Sequence, residues 1–305
     1  MLNIKSLMAF QAIVQEGSAS AAADKLAMSN PGVSRHIQTL EHQLKMRLFH
    51  RTRRRLILTE EGAQFYAETE RILRNISELP NIARDIRSSV VRSMRVIAMP
   101  RHLGAIISPA IANFREQFRE TTLTVDVLRR SRLGEWIEGR GFDVGFGTLP
   151  LDEQNLEVLP ILRTPLMVAM RADNALAGAD VVTPDDLSKY GQIAFPRGSI
   201  PRRQSDETMQ SAGREATYTI ETTDFAFACH HCIHSGDLFL VDPISASTFS
   251  PNLVCRPLWT KRWINFGAFL PLDARRSDAI DGLIDLVEDR SATLVQMGLA
   301  ESLRK

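Results

Sequence analysis

Three helix-length apolar patterns crowd into the first fifty residues, and the breaks between them are too short for anything but tight turns. Ile4, Leu7, Phe10, Ile13 and Val14 recur at three- and four-residue spacing, which predicts an amphipathic helix over residues 3–16. Gly17 ends it, and Ser18 or Ser20 can cap a second helix through Ala21, Ala22, Ala23 and Leu26. Three consecutive alanines let another helix approach closely. After a break at Met28-Ser29-Asn30, Pro31 sits where a first helical turn tolerates it. A third helix then runs through Val33, Ile37, Leu40 and Leu44 to near Leu48-Phe49. Two short helices joined this tightly form a helix-turn-helix, whose second helix can enter a DNA major groove.

The run His50-Arg51-Thr52-Arg53-Arg54-Arg55 leads into Leu56-Ile57-Leu58-Thr59. A basic segment closing into a short apolar hairpin fits a wing lying along phosphates. Residues 1–62 carry nine Lys/Arg against five Asp/Glu in a chain whose net charge is +1, so the rest of the chain is net acidic. A basic head on a mildly acidic body points to a polyanion partner for the head.

The head resembles the winged helix-turn-helix of the LysR-type bacterial transcriptional regulators. The resemblance is carried by Leu7-Met8-Ala9-Phe10, Gly17-Ser18, Ala21-Ala22-Ala23 with Leu26, and Ser29-Asn30-Pro31-Gly32-Val33-Ser34-Arg35-His36-Ile37. It continues through Leu40-Glu41, Leu48-Phe49, Arg51-Thr52 and Leu58-Thr59-Glu60-Glu61-Gly62. Asn30 and Gly32 stand where the family usually has glutamine and alanine, and Ala19 where an aromatic is common. Asn30 keeps an amide able to pair with adenine, on a shorter reach. Ser29, Asn30, Pro31 and Ser34 are the expected readers of the major groove. Arg35, Arg51, Arg53, Arg54 and Thr59 are the expected phosphate contacts, giving affinity and salt dependence rather than sequence preference.

From 63 to 92 the sequence predicts a linker helix with a heptad seam. Thr69, Ile76, Ala83 and Val90 fall seven apart, with Ile72, Leu79 and Ile86 three after each of the first three. Ile72, Ile76, Leu79, Ala83 and Ile86 are the expected dimerisation residues, and Pro80 should kink or split the helix. The resemblance implies a homodimer, assembled into a tetramer as a dimer of dimers. Its other partners would be double-stranded promoter DNA, a small-molecule co-inducer and, for an activator, RNA polymerase.

Residues 93–305 alternate strand-like and helical patterns. Strands are expected at 94–99, 123–128, 143–146, 166–170 and 238–241, with a helix from Gly104 to Phe118. Such alternation predicts a parallel sheet covered on both faces, with ligands beyond the carboxyl ends of the strands. The resemblance makes this a two-lobed, periplasmic-binding-protein-like effector domain. Lobe one would be 93–164 and 267–305, lobe two 165–266, with crossings near Arg163-Thr164 and Phe266-Gly267. The candidate cleft residues follow strands: Pro100, Arg101, His102, Arg129, Ser131, Thr148, Arg197, Gly198, Ser199, Thr222 and Thr223. Arg101 and Arg197 are expected to clamp a carboxylate from opposite lobes. Leu240-Val241-Asp242-Pro243 resembles the family branch that answers to amino acids and opines, which would place Asp242 against a ligand ammonium.

Cys229-His230-His231-Cys232-Ile233-His234 has no second Cys/His cluster to complete a metal site, and no metal or other cofactor is expected. Nucleotide-loop, zinc-protease and nucleophile-elbow motifs are absent, so no catalytic residue is assigned and an enzyme is not expected. Three cysteines suit a reducing compartment. With neither an apolar span nor a secretory signal, a cytoplasmic protein is expected.

Overall fold

The computed structural model describes residues 2–51, 56–88, 93–138, 141–151, 155–272, 274 and 276–304. The chain divides into two compact units, Met1–Val90 and Val91–Lys305.

In the first unit, α1 (Ile4–Glu16) is capped by Asn3 and stopped by Gly17 at φ 75°, a conformation that glycine adopts without strain. Ser18 caps α2 (Ala19–Lys25), accepting from the Ala21 amide. Ser29 caps α3 (Asn30–Leu44), accepting from the Gly32 amide. The helix ends four residues earlier than expected. Lys45 turns left-handed (φ 55°), and Glu41 Oε1 accepts from the Leu48 and Phe49 amides, drawing the chain into a strand. That strand, β1 (Phe49–Arg51), pairs antiparallel with β2 (Leu56–Leu58) to form the wing hairpin. Next comes α4 (Glu60–Ser88), which continues through Pro80 instead of splitting there. Leu7, Phe10, Ile13, Val33, Ile37, Leu40, Leu48, Phe49 and Leu73 close one core. A Cβ on Gly62 would lie 2.2 Å from the Leu48 carbonyl oxygen, so only glycine lets α4 begin against that strand.

The second unit has two sheets. In chain order its elements are β3 (Ser93–Ala98), α5 (Ser108–Gln117), β4 (Thr122–Val127), α6 (Leu133–Glu138), β5 (Val144–Leu149), β6 (Leu156–Pro165) and β7 (Met167–Arg171). They continue with α7 (Pro184–Leu187), β8 (Gln192–Ala194), α8 (Ile200–Gln210), β9 (Tyr218–Glu221), α9 (Phe225–His234), β10 (Leu238–Val241) and α10 (Pro243–Ser247). The last are β11 (Leu253–Pro257), β12 (Trp263–Pro271), α11 (Asp278–Gln296) and β13 (Glu301–Ser302). Lobe one carries the order β13-β6-β12-β5-β3-β4 and lobe two β11-β7-β10-β8-β9.

Both sheets are mixed rather than wholly parallel. β3 is parallel to β4 and β5, and β8 to β9 and β10, but β12 runs antiparallel to β5 and β6, and β7 to β10 and β11. The pairing of β12 with β6 starts at Trp263 opposite Pro165. The chain therefore returns to lobe one before Trp263, and residues 263–266, assigned to lobe two by sequence, pair into the sheet of lobe one. The helix expected from Gly104 begins instead as a tight turn at Pro100–His102 and a wide turn at Leu103–Ile107, and α5 proper starts at Ser108.

Candidate DNA interface and effector cleft

On the head, burial of Val33, Ile37 and Leu40 turns the opposite face of α3 outward. Asn30, Pro31, Ser34 and Arg35 are all exposed at its leading end. The free amides there also favour an anion. Ser29 is exposed too, but its hydroxyl is committed to the Gly32 amide at 3.2 Å. Arg53 and Arg54 lie outside the described residues, as does the side chain of Arg51.

Thr59 departs from its expected role. It is 5% exposed, donates its only hydroxyl proton to the Arg47 carbonyl at 2.7 Å, and accepts from the Gly62 amide at 2.8 Å. A phosphate oxygen needs a donor, so Thr59 serves as the cap of α4 and not as a phosphate contact. Sequence reading missed an open depression of about 440 Å³ at the other end of α3, lined by Gln38, Glu41, His42, Lys45, Met46 and Arg47.

Along α4, the seam is partly visible. Ile72 and Leu79 are 42% and 57% exposed and Ile76 is half-buried, while Leu73, one position on, faces the core. Thr69 is buried and returns its hydroxyl to the Phe65 carbonyl. The side chains of Ala83 and Ile86 lie outside the described residues.

In the second unit the candidate cleft residues do follow strand ends, yet the central ones are spent on each other. Arg101 Nη1 donates to Asp242 Oδ2 at 3.0 Å, and their side chains are 9% and 0% exposed. Asp242 Oδ1 accepts from the Ser245 amide at 2.8 Å and caps α10. The Ser245 hydroxyl lies 2.8 Å from both Asp242 Oδ2 and the Arg101 carbonyl. His102 Nε2 is 3.4 Å from Asp242 Oδ1, and its ring stands edge-on to Phe266. Burial alone would raise the Asp242 pKa. His102, Arg101 and the Ser245 amide outweigh it and hold the carboxyl well below the usual carboxylate range. The expected Arg101–Arg197 carboxylate clamp and the Asp242–ammonium contact are therefore both corrected: Arg101 and Asp242 already hold each other's charge within the protein.

The other cleft residues are peripheral to this pair. Arg197 and Gly198 are exposed, Gly198 at φ 83°, and Ser199 caps α8 through the Arg202 amide. Thr222 accepts from the Asp224 amide, and Thr223 is exposed. Pro100 is half-buried at the start of its turn, Arg129 is exposed, and the Thr148 carbonyl accepts from Arg130 Nη1. The side chain of Ser131 is not among those described. Ser245 was missed, although Asp242 followed by Pro243 carries the N-cap and N1 signature that places the Ser245 amide on the Asp242 carboxylate.

Cys229 and Cys232 are fully buried. Burial pushes the Cys229 thiol up, and Cys232 and Cys255 up to about 12. Cys232 Sγ donates toward the Ala169 and Asp237 carbonyls. Thiols so protonated are poor nucleophiles and poor redox sensors at neutral pH. Among the described residues no group of three or more His, Cys, Asp or Glu could hold a metal ion, and no helix is long and apolar enough to cross a membrane.

Residues 4–63 match the bacterial regulatory helix-turn-helix protein family, lysR type, and residues 90–292 match the LysR substrate binding domain. The octopine catabolism/uptake operon regulatory protein OccR of Rhizobium meliloti is 23% identical over 292 residues, covering 96% of this chain and 94% of its own. The regulatory protein NocR of Agrobacterium fabrum is 24% identical over 254 residues, covering 83% of this chain and 85% of its own. In fold, the chain is similar to full-length CbnR complexed with its target DNA, with a TM-score of 0.76 at 18% identity, over 94% of this chain and 99% of that one.

Proposed function

The chain belongs to the LysR family of bacterial transcriptional regulators, and on that premise we propose that its head reads a promoter while its second unit answers to a small amino-acid-like or opine effector. The observation that carries the DNA reading is α3: its apolar face is buried, and its leading end presents an amide, a hydroxyl and a guanidinium outward. Asn30 reads a base edge and Arg35 meets a phosphate, so the first sets sequence preference and the second affinity.

The exposed apolar seam of Ile72 and Leu79 supports a homodimer through α4, which presents two recognition helices to a two-fold site. A tetramer, contact with RNA polymerase and a cytoplasmic location follow the family pattern in this reading, and no cofactor is required. The effector class rests on the similarity to OccR, whose name places it at an octopine operon. With Arg101 and Asp242 mutually neutralised, the exposed candidates among the described residues for such a ligand include Arg197, Thr223 and Arg129.

Thermal unfolding of the full chain with octopine, arginine, lysine and simple carboxylates tests the effector class. A ligand bound only by the folded state adds about RT ln(1 + [L]/Kd) to stability, roughly 2.7 kcal/mol at a hundredfold excess over Kd. A rise with octopine or a basic amino acid supports the reading. A rise confined to simple carboxylates removes it.

A further inference from the structure

We propose that Arg101, Asp242 and Ser245 form a buried ionic latch that holds the two lobes of the second unit in one arrangement, so that the lobes part only in an all-or-none step. Arg101 belongs to lobe one, on the turn after β3, and Asp242 and Ser245 belong to lobe two, at the start of α10. Three ties cross between them: the Arg101–Asp242 ion pair, the Ser245 hydroxyl to the Arg101 carbonyl, and His102 beside Asp242.

An apolar tie runs alongside. Ile244, from lobe two, is fully buried in the core of lobe one with Met94, Val96, Ile106, Phe266 and Leu283. Gly104 of lobe one leaves room for Thr248, whose Cγ2 would lie 3.1 Å from a Cβ built there. Parting the lobes must break the buried carboxylate–guanidinium pair and withdraw Ile244 from its apolar socket at once. A group that must give up a charge pair and an apolar socket together has two positions and little between. The Arg163–Glu301 pair, within the sheet of lobe one, differs in kind: its side chains are 40% and 52% exposed, so water screens both.

Hydrogen–deuterium exchange on the full chain, for Arg101→Gln, Asp242→Asn and the double variant, tests the latch. Asparagine keeps the cap on α10 through Oδ1, while its amide nitrogen removes both the charge and the acceptor that Oδ2 offers Arg101. Each single substitution should speed exchange about 100-fold in the opposite lobe, Asp242→Asn at residues 103–107 and Arg101→Gln at 244–248. The double variant should exchange no faster than either single, because neither buried charge is left alone. Effects confined to the substituted residue's own lobe, or a double variant at the product of the singles, would overturn the latch. Should Asp242→Asn not fold, Ser245→Ala removes only the bridging hydroxyl. It should raise exchange at 103–107 about tenfold, and no change there would equally overturn the proposal.

Discussion

Thr59 and Asp242 carry polar groups whose sequence context suggests an outside partner and whose hydrogen bonds lie within the protein. Sequence shows that a polar side chain is present and near a strand or helix end. It does not show which neighbour the fold brings within 3 Å. For Thr59 that neighbour is the Arg47 carbonyl, twelve residues away, and for Asp242 it is Arg101, 141 residues away. Thr59→Ala is expected to cost the head about 1 kcal/mol, read by thermal or denaturant unfolding, while the salt slope of DNA binding stays unchanged.

The sign of the Asp242 effect on acid stability follows from its depressed pKa. The ordinary aspartate value is 3.8 and the folded value lies below it, so the stabilisation is complete above that value and drains away as pH falls through the folded one. The stability gap between wild type and Asp242→Asn should be flat near neutrality and shrink below about pH 4, as measured by denaturant titration. A gap that widens in acid would contradict this.

Among the elements, the helices of the head were legible, while most helices of the second unit, α11 included, and half of the strands were not. Ser18, Ser29 and Gly17 mark helix ends by local chemistry that operates within three residues, and each sits where that chemistry requires. β6 and β12 lack the alternating pattern that marks a half-buried strand, because β12 is buried over its last six residues. Their pairing spans about a hundred residues, which no local pattern encodes. On α4 the seam positions Ile72 and Leu79 are exposed, whereas Thr69, also on the heptad, and Leu73, off it, are buried. Leu79→Glu with Ile72→Glu should therefore shift the full chain toward monomer in sedimentation, with little loss of head stability. Leu73→Ala should instead cost the head about 2–5 kcal/mol by leaving a cavity in a closed core.

At the scale of the whole molecule, a basic head with an exposed recognition helix accompanies a two-lobed unit whose central charges are internally satisfied. The domain order was readable from sequence because the head's motif is dense and its charge differs from the body's. The cleft was not, since its chemistry depends on which loop of one lobe meets which loop of the other. Any effector acts on a body already closed on itself, and its leverage must come from differential affinity for the parted and latched arrangements.

In the proposed reading, α3 reads DNA sequence through Asn30. The direct test is enrichment from a random duplex library by the full chain and by Asn30→Ala, across a salt series. The wild type should enrich a two-fold site with half-sites about 10 base pairs apart or a multiple of that. Asn30→Ala should lose that preference while keeping salt-dependent binding to all duplexes. Enrichment of the same site by Asn30→Ala, or equal weakening on every sequence, would contradict it.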